Sequence, residues 1–305
     1  MNSVDTNKLR IAYADGGPRD GETVLLLHGW PDDASAWSQV TPLLVSEGLR
    51  WVAPDLRGFG KTSFSDARTL RDGSAIAIAQ DAFDLMGALG VDRFHAVGHD
   101  WGGRATYHMA AVQPGRLLSA SVLAIGYSPR GRFAVPAYPQ SARWWYQWFM
   151  TAAAGADVVR NDPIGFARRQ WDTWGPTEWI TEEAFATAAA AFANPDWVAI
   201  TLHGYQSRWE KRPMDEDYDQ LREAVDATEQ IRVPTLFLQG GADECDLPSE
   251  SEGLERYFTA GYNRHVLPGV GHFPAREAPG EVARLVCMHI RAHAPGKNPG
   301  DGGEQ

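Results

Sequence analysis

The sequence predicts an α/β protein in which helices cover a mostly parallel sheet and a helical segment is inserted near the middle of the chain. Two observations favour this architecture: β-rich runs alternate with helix-like stretches at both ends of the 305 residues, and the alternation stops between residues 128 and 228. Parallel strands need long crossover connections, usually helices, so such alternation is typical of a parallel sheet. We expect a core formed by residues 1–127 and 229–293, a helical cap over 128–228 and a disordered tail over 294–305.

Strands are predicted where β-branched and other apolar residues are concentrated between turn-forming residues. These runs are Leu9–Ala14, Thr23–Leu27, Arg50–Ala53, Arg93–Val97, Leu118–Ile125, Pro234–Leu238 and Arg264–Leu267. Helices are predicted where apolar residues recur at helical spacing and so share one face. These stretches are Ala36–Val45, Ala75–Leu89, Arg104–Val112 and Pro279–Ala292. Each of them offers an apolar face that a sheet can bury.

The inserted segment, residues 128–228, contains no convincing strand and holds eight of the twelve tryptophans. Large aromatic rings can fill the core of a small helical unit, which explains most of them. The remainder can face a pocket. We expect Trp145 and Trp148 to line a substrate pocket.

The composition excludes several classes of function. Lys and Arg total 28 against 39 Asp and Glu, a net charge of −11, so the chain lacks the basic surface that nucleic acids and anionic membranes require. Its two cysteines have neither the number of a disulfide framework nor the spacing of a zinc site, which favours a reducing, cytoplasmic location. No apolar run approaches the ~18 residues of a membrane span.

A predicted strand-to-helix turn carries the clearest catalytic motif. Residues 98–103 read Gly-His-Asp-Trp-Gly-Gly and follow the strand that ends at Val97. Glycines around a central residue permit the strained turn called a nucleophile elbow, which exposes the central side chain beside a helix N-terminus. Here that residue is Asp100. Taken alone, the motif fits an aspartate that caps the helix equally well.

Other segments decide between these interpretations. The sequence His-Gly-Trp-Pro begins at His28, directly after a predicted strand, and Asp243 and His272 each follow a later one. Loops at the C-terminal ends of parallel strands are where open α/β sheets place their active sites. The order of nucleophile, acid and histidine at 100, 243 and 272 is the one expected of an α/β hydrolase.

From about Leu9 to His293 the chain resembles the α/β-hydrolase superfamily. The combination of Gly-His-Asp-Trp-Gly-Gly with His-Gly-Trp-Pro is similar to that of epoxide hydrolases and, less closely, of haloalkane dehalogenases. The resemblance implies hydrolysis of an epoxide to a vicinal diol by an Asp-His-Asp triad, with no cofactor and no metal ion. A small apolar organic substrate and water are the expected partners.

A carboxylate nucleophile is suited to displacement at a saturated carbon, because its attack yields an alkyl ester that water can cleave. We expect Asp100 to form this ester and His272, oriented by Asp243, to activate the water. The backbone N–H groups of Trp30 and Trp101 are expected to stabilise the oxyanion that develops on the Asp100 carbonyl.

Opening an epoxide also requires an acid for the departing oxygen. Epoxide hydrolases of this fold use two tyrosines of the cap. Tyr146 and Tyr205 lie in contexts similar to the tyrosine-bearing cap helices of that family, so both are expected to be catalytic. Tyr138 and Tyr218 are the alternatives.

The alternative activity is haloalkane or haloacid dehalogenation by the same Asp100, since a halide leaves without an acid. Fluoroacetate dehalogenases have an arginine directly after the nucleophile, where this chain has Trp101. They also have a carboxylate-binding arginine one turn later, where it has Arg104. Taken alone, such an arginine more often belongs to a structural ion pair. A non-catalytic small-molecule receptor is the remaining alternative.

Overall fold

The computed structural model describes residues 1–176 and 179–294, and its centre is a nine-stranded sheet. The order across the sheet is β1-β2-β4-β3-β6-β7-β8-β9, with β5 paired to β2. Neighbours from β4 to β9 in this order run parallel, and the pairs that involve β2 are antiparallel. The strands are β1 (Asn2–Asp5), β2 (Leu9–Gly16), β3 (Thr23–Leu27), β4 (Arg50–Pro54), β5 (Ser63–Phe64), β6 (Phe94–His99), β7 (Leu117–Leu123), β8 (Thr235–Gly240) and β9 (Tyr262–Leu267).

This mostly parallel sheet confirms the predicted fold class. All seven predicted strands are present, with ends within two residues of those expected. Strands β1 and β5 were not predicted. The first is a mostly exposed edge strand and the second is two residues long, so neither has the apolar pattern by which a strand is recognised.

Helices surround the sheet and fill the insertion. Those outside it are α1 (Thr41–Ser46), α2 (Ala75–Ala88), α3 (Trp101–Val112), α11 (Pro274–Glu277) and α12 (Pro279–Ala292). Those between β7 and β8 are α4 (Tyr138–Arg143), α5 (Trp145–Thr151), α6 (Ala153–Asn161), α7 (Pro163–Thr173), α8 (Glu182–Ala191), α9 (Trp197–Trp209) and α10 (Asp219–Ala227).

The helix predicted over Ala36–Val45 is divided in the structure. A 3-10 turn at Ala34–Trp37 precedes α1, which begins at Thr41. Pro42 lacks a backbone N–H and therefore favours the first turn of a new helix over the interior of a continuous one.

Side chains of the central strands alternate between two apolar layers, one on each face of the sheet. In β3, Leu25 and Leu27 join the larger layer, whereas Val24 and Leu26 join the smaller one. The larger layer also includes Trp171 and other aromatic residues of the insertion. The insertion therefore shares a continuous apolar core with one face of the sheet.

We propose that residues 128–228 form a cap on a core built from residues 1–127 and 229–293. In support, the indole Nε1 of Trp30 donates to Thr201 Oγ1 at 3.0 Å and that of Trp171 to the Pro31 carbonyl at 2.7 Å. The predicted tail, residues 294–305, lies outside the described residues except for its first. Within the described ranges, every helix is too short or too polar to cross a membrane.

Candidate active site

Asp100 occupies the turn between β6 and α3. Its φ of 47° and ψ of −108° lie outside the regions that non-glycine residues favour, at a cost of about 1–3 kcal/mol. The turn is tight: a Cβ on Gly98 would overlap the Gly102 backbone, and a Cβ on Gly102 would overlap that of Leu27. The Asp100 side chain makes no capping hydrogen bond to α3, so the helix-capping alternative does not hold.

The carboxylate of Asp100 is held by the loop that follows β3. The backbone N–H of Trp30 donates a 2.9 Å hydrogen bond to Oδ1 of Asp100. Trp101 is the first residue of α3, and the N–H groups of a helix's first turn have no partner within the helix. The contact of Trp30 is that expected of an oxyanion donor, and the same role for Trp101 stays a prediction.

Two buried histidines brace the loops of the site. His28 donates from Nδ1 to the Gly29 carbonyl at 2.9 Å and accepts the Leu56 N–H at Nε2, 3.1 Å away. Burial lowers the pKa of His28 to about 4, so this ring is neutral. His99 donates from Nε2 to the backbone carbonyl of His272 at 2.6 Å. Both rings therefore position loops and are not available as bases.

Asp243, after β8, orients His272, after β9. Nδ1 of His272 lies 2.9 Å from Oδ2 and 3.1 Å from Oδ1 of Asp243. Oδ1 also accepts the backbone N–H groups of Cys245 and Asp246, at 2.8 and 2.9 Å, and Oδ2 accepts the Gln239 amide at 3.3 Å. With donors on both oxygens, the buried carboxylate is fixed in one orientation.

The other nitrogen of His272 faces Asp100. Nε2 has no hydrogen-bond partner among the described residues and lies 3.9 Å from Oδ2 of Asp100. That separation is too long for a direct hydrogen bond and suits an intervening water. Burial alone would lower the pKa of His272, but the Asp243 carboxylate raises it well above its usual value. Asp243 is thus placed to stabilise a positive charge on His272.

Cys245 and Asp246 lie against the same histidine. Ligand atoms of Cys245, Asp246 and His272 all lie within 4.8 Å of one another, a spacing compatible with a metal ion. However, burial raises the pKa of the Cys245 thiol, and burial together with the Asp243 charge raises that of Asp246 to about 7. Burial thus disfavours the charged forms of both groups, and we assign these residues to the surroundings of His272.

Both predicted tyrosines lie in the buried site. The rings of Tyr146 on α5 and Tyr205 on α9 are nearly perpendicular, with centroids 5.3 Å apart. The Tyr205 hydroxyl has no partner in the described ranges, whereas that of Tyr146 accepts the Gln147 amide at 3.1 Å. Burial raises the pKa of both phenols well above the usual value, and the nearby Asp100 charge adds to the effect. Both hydroxyls therefore keep their protons at neutral pH.

Trp30 and Trp174 complete the aromatic wall. Trp30 stacks on Tyr146, with centroids 5.9 Å apart, and its ring meets that of Tyr205 edge-on at 5.0 Å. The Trp174 ring lies 4.9 Å from both Tyr146 and His272, and its carbonyl accepts the His272 backbone N–H at 3.1 Å. A role for Trp174 was not predicted, because no motif separates it from the other tryptophans of the insertion.

Trp145 and Trp148 are less central than expected. Trp145 is 39% exposed and reaches the site through intervening rings, those of Tyr146 at 6.4 Å and Phe166 at 6.1 Å. The Trp148 ring packs on Trp209 at 4.2 Å. A role for either residue in a substrate pocket stays a prediction, and Trp174 has the closer contacts with the triad.

The alternative tyrosines lie elsewhere. Tyr138 is 85% exposed at the start of α4. The Tyr218 hydroxyl accepts a 2.9 Å hydrogen bond from Arg57, whose guanidinium is otherwise paired with Asp81. Neither hydroxyl is placed like that of Tyr205.

Arg104 does not form the ion pair that its sequence context suggested. It lies on α3, one turn after Asp100, and lines a cavity of about 260 Å³ together with Trp101. Its Nε has no hydrogen-bond partner, and no carboxylate of residues 1–176 and 179–294 pairs with it. The guanidinium lies 4.4 Å from the centre of the Phe133 ring instead. The expectation of a structural ion pair was therefore wrong, because the Arg104 guanidinium packs on an aromatic ring and not against a carboxylate.

Several known proteins are similar to this chain. Residues 22–279 match the sequence profile of the family described as alpha/beta hydrolase fold. Epoxide hydrolase 2 of Siraitia grosvenorii is 33% identical over 327 residues, which cover 95% of this chain and 97% of that protein. A fluoroacetate dehalogenase of Burkholderia sp. is 31% identical over 301 residues, with 93% and 91% covered. The crystal structure of a candidate epoxide hydrolase from Klebsiella pneumoniae has a TM-score of 0.89 and 34% identity, and the match covers 95% of this chain and 97% of that one.

Proposed function

This chain belongs to the alpha/beta hydrolase fold family and is a hydrolase, and we propose that it opens an epoxide to a vicinal diol through a covalent ester on Asp100. One observation carries the proposal: two buried, protonated phenols, Tyr146 and Tyr205, share a cluster with that carboxylate. A departing epoxide oxygen is strongly basic and needs such a proton donor.

The proposed first step is alkylation of Asp100. Oδ1 accepts the Trp30 N–H, so Oδ2 is the freer oxygen and attacks the epoxide carbon. As the new carbon–oxygen bond forms, the epoxide carbon–oxygen bond breaks, and the departing oxygen takes a proton from a tyrosine hydroxyl. Tyr205 is the better placed donor, because its hydroxyl has no other partner among the described residues.

The proposed second step is hydrolysis of the ester. Water adds to the carboxyl carbon of Asp100 while Nε2 of His272 takes its proton. The negative charge that develops on Oδ1 is stabilised by the Trp30 N–H, a contribution of about 3 kcal/mol in comparable sites. The bond from the carboxyl carbon to Oδ2 then breaks, and the departing oxygen takes the proton held by His272. The new carboxylic acid of Asp100 returns a proton to the tyrosinate left by the first step, so the diol leaves with an oxygen of Asp100 and the water oxygen stays on the enzyme.

Dehalogenation through the same ester is the second candidate. The indole N–H of Trp101 favours this activity, because it is buried and has no hydrogen-bond partner among the described residues. A halide that leaves the substrate during attack by Asp100 could accept a hydrogen bond from it. The fluoroacetate dehalogenase relative is compatible with this activity. The two candidates share Asp100, Asp243 and His272 and differ in the need for a phenol.

A panel of terminal epoxides and haloalkanes tests the proposal. We expect diol from epoxides at a higher kcat/KM than halide from haloalkanes, and halide release without any diol would replace the proposal by the second candidate. The His272→Gln variant should accumulate a substrate adduct on the peptide that contains Asp100, detectable by mass spectrometry. Asp100→Asn is the control, because it should show neither turnover nor adduct.

A further inference from the structure

The side chain of Gln147 joins the two helices that carry the tyrosines. It belongs to α5 and is only 1% exposed. Its Oε1 accepts the indole N–H of Trp209 at 3.1 Å and a guanidinium N–H of Arg208 at 3.4 Å, both on α9. Its Nε2 donates to the hydroxyl oxygen of Tyr146 at 3.1 Å. Both ends of this buried amide therefore have partners, as the burial of a polar group requires.

The partners on α9 fix which way round the amide of Gln147 lies. The oxygen and the nitrogen of an amide have nearly the same shape, so their hydrogen bonds must distinguish them. An indole N–H can only donate, and so can a guanidinium N–H. The atom that faces Trp209 and Arg208 is therefore the oxygen, and the NH₂ group faces Tyr146.

This orientation determines the direction of the hydrogen bond to Tyr146. An amide nitrogen does not accept hydrogen bonds, so the phenol oxygen accepts and its own proton points elsewhere. Sγ of Cys245 lies 3.6 Å from the same oxygen, but sulfur is a weak acceptor. Among the described residues, no strong acceptor holds the Tyr146 proton. The hydrogen bond from Gln147 therefore leaves that proton free for a substrate.

The same contact stabilises Tyr146 after its proton has left. Burial disfavours the charged phenolate and so raises the pKa of Tyr146. When the phenolate forms, the N–H of Gln147 already points at its oxygen, and the contact becomes a charge-assisted hydrogen bond. Such bonds are about twice as strong as neutral ones. Gln147 thus stabilises the transition state of proton transfer more than the resting phenol.

Arg208 brings positive charge towards both phenols. Its guanidinium lies 4.4 Å from the centre of the Tyr205 ring and 4.7 Å from that of Phe133. Burial and the Asp100 charge raise the pKa of Tyr205, and the Arg208 charge opposes them. The same guanidinium polarises the amide of Gln147 through its oxygen, which makes the N–H a stronger donor to Tyr146.

We propose that Gln147 is a positioning residue for Tyr146, which it keeps oriented as a proton donor to the departing epoxide oxygen and stabilises once the proton has left. The proposal rests on the proposed function, because of the two candidate activities only epoxide opening needs an acid. As Asp100 attacks, the epoxide carbon–oxygen bond breaks and the departing oxygen takes the Tyr146 proton. The phenolate left behind keeps the hydrogen bond from Gln147.

Gln147→Glu tests the direction of this hydrogen bond. The variant has nearly the same shape, and its carboxylate still accepts from Trp209 and Arg208, but it also accepts the Tyr146 proton and repels the phenolate. The single-turnover rate of Asp100 alkylation by styrene oxide should fall by about 10²-fold, the effect of losing one acid, with no comparable loss in ester hydrolysis. A residue that only joined α5 to α9 would be replaced well by glutamate, so an unchanged alkylation rate would overturn the proposal.

A double-mutant cycle tests whether Gln147 acts through Tyr146. Gln147→Leu removes the N–H and should slow alkylation by about tenfold in the otherwise unmodified chain. In the Tyr146→Phe background the same change should have almost no further effect, because the acid that Gln147 serves is absent. Equal losses in both backgrounds would assign Gln147 to the fold alone and would overturn the proposal.

Gln206→Leu is the matched control. Gln206 is also buried, and it joins the same two helices by donating to the Met150 carbonyl at 2.7 Å, but it contacts no tyrosine hydroxyl of the described residues. Thermal melting should show a loss of stability similar to that of Gln147→Leu, while the alkylation rate should stay close to that of the unmodified enzyme. An equal loss of alkylation in this control would show that any weakened contact between α5 and α9 slows the reaction, which would contradict the proposal.

Neutron diffraction from crystals of the deuterated protein measures the orientation without turnover or substitution, and so decides the case even if the Gln147 variants fail to fold. We expect the amide deuterons of Gln147 to face the Tyr146 oxygen and the phenol deuteron to point away from Gln147. A phenol deuteron directed at an amide oxygen would refute the proposal.

The assays with styrene oxide separate this proposal from the proposed function. If the unmodified protein forms diol but Gln147→Glu is alkylated equally fast, the role of Gln147 is refuted and the proposed function stands. If the unmodified protein opens no epoxide, the proposed function fails and the role of Gln147 fails with it.

Discussion

Nε2 of His272 stands 3.9 Å from Oδ2 of Asp100, while Nδ1 of the same ring is held 2.9 Å from Oδ2 of Asp243. The ring is thus fixed by one carboxylate and kept just out of hydrogen-bond reach of the other. The His99 hydrogen bond to the His272 carbonyl and the Trp174 acceptor for its N–H hold the backbone at this distance. A histidine held in this way can take a proton from a water beside Asp100.

Replacing Asp243 by Asn should move the pH dependence of ester hydrolysis. The Asp243 carboxylate raises the pKa of His272, and only the unprotonated ring is a base, so the rising limb of the pH–rate profile should shift to lower pH in the variant. The maximal rate should fall by on the order of 10⁴-fold, because the imidazolium loses its counter-ion and the ring loses the partner that fixes its tautomer. Single-turnover rates from about pH 6 to pH 10 measure both effects.

Glu244→Gln is the matched control for that experiment, since it removes an exposed carboxylate next to Asp243. Its profile should overlay that of the unmodified enzyme. A limb that stays in place in Asp243→Asn would show that Asp243 does not set the pKa of the catalytic base.

Tyr205→Phe and Tyr146→Phe should differ in stability while sharing a catalytic defect. Either change removes a proposed acid and should slow epoxide opening by about 10²-fold, with no comparable loss in ester hydrolysis. The Tyr205 hydroxyl has no described partner, so its removal should leave the unfolding free energy nearly unchanged. Tyr146→Phe deprives the Gln147 amide of its acceptor and should cost about 1 kcal/mol. Rapid-quench kinetics and urea titration separate the two quantities, and intact epoxide opening in both variants would eliminate these acids.

Asp100→Gly should be more stable than Asp100→Ala, although both variants are expected to be inactive. Each loses the hydrogen bond from Trp30, but only glycine adopts a φ of 47° without strain, so a difference of about 1–3 kcal/mol is expected. Gly87 is an exposed glycine of α2 with free space around it, and there alanine should be the more stabilising residue. Gly87→Ala should raise the free energy of unfolding by about 0.5–1 kcal/mol. Chemical denaturation of these variants measures both differences.

Asp246→Asn should change how stability depends on pH. Burial raises the pKa of Asp246 to about 7, so the folded state holds this proton more tightly than the unfolded state does. This contribution is fully present below about pH 4 and is lost as the pH rises to 7, by at most about 1.4 kcal/mol per pH unit. The amide does not titrate, so the variant should gain stability relative to the unmodified protein as the pH rises.

Urea unfolding of both proteins at low and at neutral pH supplies the comparison. The half-buried Asp33, whose pKa burial also raises to about 7, contributes equally to each protein and cancels in the difference. Asp92→Asn, at a side chain that is 96% exposed, should show no pH-dependent difference. A constant difference between Asp246→Asn and the unmodified protein at all pH values would contradict the assignment.

The order of the candidate triad could be predicted from sequence because each of its residues directly follows an apolar run. Asp100, Asp243 and His272 lie just after β6, β8 and β9, and short motifs mark the first and the last of these positions. Such local patterns also set the strand ends to within two residues. These patterns indicate where a residue lies relative to the end of its own strand.

Contacts between distant elements gave no such signal. Arg104 and Arg208 approach the same ring across a hundred residues of chain, and nothing in either local sequence indicates the other. Trp174 is one aromatic residue among many, and its role depends on where the end of α7 meets the loop of His272. Tertiary packing determines these contacts, and local sequence patterns do not predict it.

The carbonyl of Trp174 accepts the backbone N–H groups of both His272 and Glu244, at 3.1 and 3.3 Å, and three residues earlier Trp171 is bonded to the Pro31 carbonyl. The end of α7 is therefore fastened to three of the four loops that bear the proposed chemistry, those of Trp30, Asp243 and His272, whereas α5 and α9 supply the tyrosines. We expect directed evolution to be able to change substrate selection and turnover rate separately. Libraries confined to α5 and α9 should change which compounds are accepted, and libraries confined to the end of α7 should change how fast every compound is turned over.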